Sequence, residues 1–281
     1  MPTHIVQVPY DSGRKNVRMR KGPGYLVTHG IVSLEAVSFD RVEVEELTFE
    51  LGTTFRVLRS LSEKVNTATQ NNCLPLVLAG GCISCLGTLS GLSAGPIAVI
   101  WLDAHADFNT PETSVSGFID GMALAAATGR CWRNLTSSID GFRPVSEKNV
   151  ILIGARDLDP DERGLLERSE ISWIDMPMIR DRGVGEALRT ALRNVEPERV
   201  YLHIDLDVLD RGEASVNEFS STGGLTVAEL LQTVRVISEA KSIVAAAITA
   251  YDPSYDRDGK ALRAAGELVK ELHAVGCIDA A

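Results

Sequence analysis

No run of about 18 uninterrupted apolar residues occurs in this sequence, so it offers no membrane-spanning helix. The N-terminal MPTHIVQVPYDSG has no apolar signal core, and a cytoplasmic location is the expectation. Basic residues are scarce: Lys and Arg total 28 against 38 Asp and Glu, for a formal net charge of −10. Binding of nucleic acid without sequence preference runs on basic patches, which argues against that class. The excess negative charge favours solubility and does not name a substrate. Cysteines are few and odd in number, namely Cys73, Cys82, Cys85, Cys131 and Cys277, which argues against a disulfide framework. Internal repeats, low-complexity tracts and a Pro/Gly/Ser-rich linker are all absent, so residues 1–281 read as one domain.

What is present is a large core. The chain has 281 residues and is 44% hydrophobic. Short apolar runs begin at His4, Leu74, Ile97, Val150, Val200 and Ile243. Helical spacing covers 54–71, 121–128, 161–168, 185–195, 226–240 and 260–275. The runs are apolar at both alternating positions, as in strands buried on both faces. Strand–helix alternation predicts an α/β fold with a mostly parallel sheet between helices. In such sheets ligands sit beyond the carboxyl ends of the strands. Cys82, Asp103, Asp205 and Asp207 all lie there.

Asp103-Ala-His105-Ala-Asp107 directly follows IAVIWL. Residues at i, i+2 and i+4 share one side of an extended backbone. Carboxylates with an imidazole suit Mn, Zn or Fe better than Ca. His203-Ile-Asp205-Leu-Asp207 repeats the pattern, with Asp210 following. Buried carboxylates are costly unless a cation compensates them, and four could hold two ions. Two divalent ions about 3.5–4 Å apart can activate a bridging water as a nucleophile.

With these residues in view, the chain resembles the ureohydrolases, the family of arginase, agmatinase and formiminoglutamase. DAHADFNTPETSVSG is similar to D-A-H-x-D-x-x-x-P-x-T-S-x-S-G, and HIDLDVLD to S-x-D-x-D-x-x-D-P. VPYDSG, GARDLDPDE around Asp159 and GGLT at 223–226 extend the likeness over nearly the whole chain. The resemblance implies a three-layer αβα sandwich with a mostly parallel eight-stranded sheet. It also implies two Mn2+ ions and hydrolysis of a guanidino C–N bond, releasing urea or an analogue. Asp103 and Asp205 would bridge the ions, Asp107 would complete one site, and His105 and Asp207 the other. A homo-oligomer, trimeric or hexameric, acting on a small molecule is implied as well.

The remaining family ligand is the histidine of G-G-D-H-S, and Cys82 stands at its place in Ala79-Gly80-Gly81-Cys82-Ile83. Three readings are open. Cys82 is a thiolate ligand, which Zn2+ accepts more readily than Mn2+. It is a bystander beside a single ion. Or it forms a redox pair with Cys85. The ligand reading is favoured, and it resembles a ureohydrolase subgroup that hydrolyses hydroxyarginine. Cys85 then reads as a core thiol.

In arginases a histidine in S-G-N-x-H-G often protonates the leaving amine. Here the segment is Ser116-Gly117-Phe118-Ile119-Asp120-Gly121. Asp120 is either a general acid or a cap on the helix starting at Gly121. Asp107 would hydrogen-bond the nucleophile and carry its proton. Asn109, Ser116, Asp159 and Glu162 match groups that bind an α-amino acid, whereas Phe118 replaces an asparagine. The family segment E-V-N-P, whose glutamate faces the guanidinium, reads Ala250-Tyr251-Asp252-Pro253. Glu218 is the leading substitute, with Tyr251 and Asp252 behind it. The alternative is a substrate other than a plain guanidinium (an N-hydroxyguanidine, amidine or ureido compound), or a family scaffold that only binds a small molecule. His203 reads as a structural histidine, and Trp101 as a core residue.

Overall fold

The computed structural model describes residues 1–29, 37–92 and 95–278, with side chains through 276, so the Cys277 thiol lies outside the described residues. The strands are β1 (Thr3–Val8), β2 (Tyr10–Asp11), β3 (Arg14–Lys15), β4 (Val37–Arg41), β5 (Leu74–Ala79), β6 (Ala98–Leu102), β7 (Val150–Ile153), β8 (Ser172–Ile174), β9 (Arg199–Asp205) and β10 (Ser242–Thr249). The helices are α1 (Gly22–His29), α2 (Glu50–Gln70), α3 (Cys85–Gly91), α4 (Ala123–Ala127), α5 (Arg133–Thr136), α6 (Pro160–Glu167), α7 (Met176–Arg182), α8 (Val184–Leu192), α9 (Val227–Ala240) and α10 (Lys260–Ile278).

Among the described residues, eight strands make one sheet in the order β4-β1-β5-β10-β9-β6-β7-β8, with every pairing parallel. β2 and β3 form a separate antiparallel pair. The sheet is apolar on both faces because each strand sends alternate residues to two cores. Leu76, Leu78, Ile100, Leu102, Leu202 and Ile204 pack with α8, α9 and α10. Val77, Ala79, Val99, Trp101 and Tyr201 pack with α2, α3 and α4. This is the three-layer αβα arrangement with its eight-stranded parallel sheet. No helix among the described residues is long and apolar enough to cross a membrane.

Departures from the sequence reading include two sheet strands and a helix boundary. β4 is an edge strand that is mostly accessible, and β8 is three residues long, so neither has a continuous apolar run. The segment 176–192 is two helices broken at Gly183, whose φ of 76° lies in the left-handed region that glycine tolerates.

The strand order positions the site. β5, β10, β9 and β6 are adjacent, although their ends are distant in sequence. Cys82 follows β5, Thr249 closes β10, Asp205 closes β9 and Asp103 follows β6. Thr249 and Asp205 stand in register, as do Trp101 and His203. Four segments therefore converge on one stretch of the carboxyl edge.

Candidate metal centre and active site

Cys82, His105, Asp107, Asp205 and Asp207 line a cavity of about 210 Å³, and Asp103 lies buried beside them. Ligand atoms of Cys82, Asp103 and Asp205 lie within 4.8 Å of one another, and so do those of Asp103, His105 and Asp207. Asp103 belongs to both groups. Asp107, Asp205 and Asp207 also face the cavity.

Most of these groups are held by hydrogen bonds to neighbouring groups. Asp103 Oδ2 accepts from Trp101 Nε1 at 3.0 Å, and its Oδ1 accepts from the His105 backbone N–H at 2.8 Å. Asp205 Oδ1 accepts from Asp207 N–H at 2.9 Å, and its Oδ2 accepts from the Cys82 thiol at 3.0 Å. Asp207 Oδ1 accepts from Ala104 N–H at 3.2 Å. His105 Nδ1 stands 3.2 Å from Asp103 Oδ1 and 3.5 Å from Asp207 Oδ2. Asp107 adopts φ 49°, a left-handed conformation uncommon for non-glycine residues. Such strain gathers at functional sites.

The electrostatics fit a cation. Burial, then the Asp207 charge, pushes the Asp103 carboxyl up. Burial followed by Asp103 does the same to Asp107, and burial followed by Asp207 and Asp103 to Asp205. The Cys82 thiol is pushed well up by burial and then by the Asp205 charge. Burial disfavours the His105 cation, but Asp207 and Asp103 outweigh it and its pKa rises. Asp107 Oδ2 is buried with no hydrogen-bond partner. An unpartnered buried carboxylate oxygen among like charges is a costly arrangement that a divalent cation relieves.

The other candidates separate into those facing the cavity and those that do not. Asn109, Ser116, Phe118, Asp120, Asp159 and Glu162 all line it. Asn109 Nδ2 donates to Asp159 Oδ2 at 3.1 Å. Glu162 accepts from the backbone N–H groups of Phe108 at 2.9 Å and Asp159 at 3.3 Å, and burial raises its pKa to about 7. Asp120 caps no helix: it opens a short 3-10 turn that runs into α4, which begins at Ala123. Its Oδ1 instead accepts from Ile83 N–H at 2.9 Å, beside Cys82, and its Oδ2 is buried without a partner. Burial, then the charge of Asp11, pushes the Asp120 carboxyl well up.

Glu218 is a correction. Its side chain is exposed and ion-paired with Arg18, and it is not among the residues lining the cavity. Loop residues 217 and 219 point the other way. Asn217 and Phe219 face the cavity and Glu218 faces solvent. Asn217 Nδ2 donates to the Ala250 carbonyl at 2.9 Å and to Asp207 Oδ2 at 3.4 Å. It thereby ties the place of the absent glutamate to a candidate ligand. Tyr251 donates to Asp256 and Asp252 accepts from Ser254, both away from the cavity. Sequence gives no sign of Asn217 or Phe219, because a loop without periodicity carries no signal for which of three neighbours turns inward. Cys85 donates to the Ala123 carbonyl at 3.7 Å inside the core and does not line the cavity.

The family model of the arginase family matches residues 2–274. The arginase of Brevibacillus brevis is 31% identical over 287 residues, 95% of this chain and 96% of that protein. The Bacillus subtilis arginase is 29% identical over 285 residues, 95% of this chain and 96% of that protein. A crystal structure of the Bacillus subtilis arginase superposes with a TM-score of 0.87 at 28% identity, covering 97% of this chain and 98% of that one.

The chain belongs to the arginase family. It is an enzyme of that family's metal-dependent amidinohydrolase class. Two features are notable for an arginase-family site: a cysteine in the donor set and an alanine at 250 in the cavity wall.

Proposed function

We propose that the protein hydrolyses the guanidino C–N bond of an arginine- or N-hydroxyarginine-type substrate, releasing urea or hydroxyurea. The observation that carries this reading is the pair of donor groups that share Asp103 beside the cavity, whose other members all line it. Cys82, Asp103, Asp107 and Asp205 would hold one cation, and Asp103, His105, Asp205 and Asp207 the other. Mn2+ fits the carboxylate–imidazole part, and Cys82 also admits Zn2+. Bound there, such ions supply a water acidic enough to act as nucleophile near neutral pH.

The protein's own groups do the rest. Among the described residues lining the cavity there is no Arg or Lys, while carboxyl groups line several sides. That field favours a cationic guanidinium. Asp107, whose Oδ2 has no hydrogen-bond partner, would help hold a cation and would hydrogen-bond the nucleophile and carry its proton. Asp120, whose pKa is pushed up by burial and then by the charge of Asp11, is the group placed to donate to the leaving amine. The Asn109–Asp159 pair and Glu162 receive the amino-acid end. Phe118 and Phe219, with ring centroids 6.0 Å apart, form an apolar mouth. A homo-oligomer in the cytoplasm is part of the same proposal, supported by the family relationship.

Alanine at 250 and phenylalanine at 118 favour a second reading, in which the substrate is an amidine or ureido compound. The deciding experiment incubates Mn-loaded protein with arginine, N-hydroxyarginine, agmatine and guanidino acids, detecting urea and hydroxyurea. Turnover of arginine or N-hydroxyarginine supports the first reading. Silence across the panel with metal bound overturns it in favour of the second.

A further inference from the structure

A line of buried polar groups runs behind Cys82 into the core, although the proposed reaction does not use it. Thr249 Oγ1 stands 3.2 Å from Cys82 Sγ. On its other side it stands 3.5 Å from His203 Nε2, and His203 Nδ1 is 2.8 Å from the Tyr201 hydroxyl. All four residues are buried. The His203 ring lies parallel to Trp101, with centroids 3.6 Å apart and planes at 12°. That same indole donates to Asp103 Oδ2 at 3.0 Å.

Sequence and register explain the assembly. Tyr201 and His203 alternate along β9 and point to the same face as Trp101 on β6, its cross-strand neighbour. Thr249 closes β10 opposite Asp205. The strand order then lays Thr249 between His203 and Cys82.

We infer that Tyr201, His203 and Thr249 form a directional relay that donates a hydrogen bond to the Cys82 sulfur and tunes it as a metal ligand. The inference rests on the reading of Cys82 as a ligand. One proton arrangement satisfies the whole line. The Tyr201 O–H donates to His203 Nδ1, His203 Nε2–H donates to Thr249 Oγ1, and the Thr249 O–H donates to sulfur. A thiolate brings a negative charge that a neutral imidazole at the same place would not. A hydrogen bond to sulfur disperses part of that charge and fixes the direction of its lone pairs, as outer partners do for ligands generally. Thr249 Oγ1 also lies 3.4 Å from the Ile204 carbonyl, but the sulfur is the nearer acceptor. The three residues are positioning residues, since none of them reaches the cavity.

The test is spectroscopic. The full-length protein is loaded with Co(II), and the thiolate-to-metal charge-transfer absorption is recorded for wild type, Cys82→Ser, Thr249→Val and Thr249→Ser. A hydrogen bond lowers the energy of the sulfur lone pair and so raises the energy of that transition. The band is expected in wild type and absent in Cys82→Ser. Thr249→Val should move it to lower energy and weaken Co(II) binding at one of the two sites by about tenfold. Thr249→Ser should restore both. His203→Phe, which keeps a ring against Trp101, should shift the band in the same direction and provides the measurement if Thr249→Val does not fold. A wild-type band that stays put in Thr249→Val and His203→Phe overturns the relay while leaving Cys82 a ligand. Bound cobalt with no thiolate band in wild type overturns the ligand reading itself, and the relay with it.

Discussion

Gly81 and Asp120 share one space: a Cβ on Gly81 would lie 2.4 Å from Asp120 Oδ2 and 2.6 Å from its Oδ1. In the stretch similar to G-G-D-H-S, Gly81 stands where the family has an aspartate. Asp120 reaches across from its own loop into the room that the missing side chain leaves, and Ile83 N–H holds it there at 2.9 Å.

Gly81→Ala should accordingly displace the Asp120 carboxyl. Overpacking of this kind costs about 1–3 kcal/mol of stability. On the proposed acid role of Asp120, turnover should fall more than substrate affinity. Steady-state kinetics and thermal unfolding on the same preparation check both effects. Normal turnover in a folded Gly81→Ala protein would contradict the role given to Asp120.

Asp120→Asn removes the acid while keeping the hydrogen bond from Ile83. The expected loss is about 10²–10⁴-fold in kcat with KM little changed. On the proposed acid role, the wild-type pH–rate profile should carry an alkaline limb that is absent from the residual activity of Asp120→Asn. A variant with wild-type kcat would transfer the acid role elsewhere.

Metal removal should destabilise the protein. Without cations, the buried carboxyls of Asp103, Asp107 and Asp205 face one another. Chelation should lower the melting temperature, and Mn2+ at about 100 times its dissociation constant should return about 2.7 kcal/mol. Asp205→Ala should bind neither ion tightly and show no such response, while Cys85→Ala should behave like wild type. Calorimetry with and without Mn2+ checks all three proteins.

His203 gives stability a defined pH dependence. Burial lowers its pKa from 6.5 to about 3, so the folded protein holds it neutral. In the unfolded chain it takes up a proton below about 6.5. The unfolded state thus binds more protons between those values, and stability falls as pH drops from about 6.5 toward 3. The contribution is on the order of 5 kcal/mol at most. His203→Phe should flatten this part of the curve. Denaturant unfolding of metal-free protein at a series of pH values measures the slope, and equal slopes in both proteins would refute the assignment.

Phe118→Asn should change substrate preference. It replaces an apolar wall of the cavity with an amide that can meet a carboxylate. A gained hydrogen bond to a charged group is worth about 1.5–3 kcal/mol, so kcat/KM for arginine relative to agmatine should rise roughly 10–100-fold. Competition between the two substrates measures the ratio directly.

Much of this was legible in the order of residues. Alternating apolar runs marked β1, β5, β6, β7, β9 and β10, because a doubly covered strand must be apolar at nearly every position. The carboxylate clusters announced themselves, since Asp103, His105 and Asp107 can share one side of an extended segment without knowledge of the fold. Ala250 and Cys82 were visible as departures from the family pattern. Only the tertiary structure decided what answers them. The Asn217–Glu218–Phe219 segment is a loop, and loop side chains are aimed by distant partners: Arg18 draws Glu218 outward, and the Ala250 carbonyl draws Asn217 in. The relay behind Cys82 spans 167 residues from Cys82 to Thr249. It exists because β10 enters the sheet between β5 and β9, and local sequence cannot express a strand order set by packing across the whole sheet.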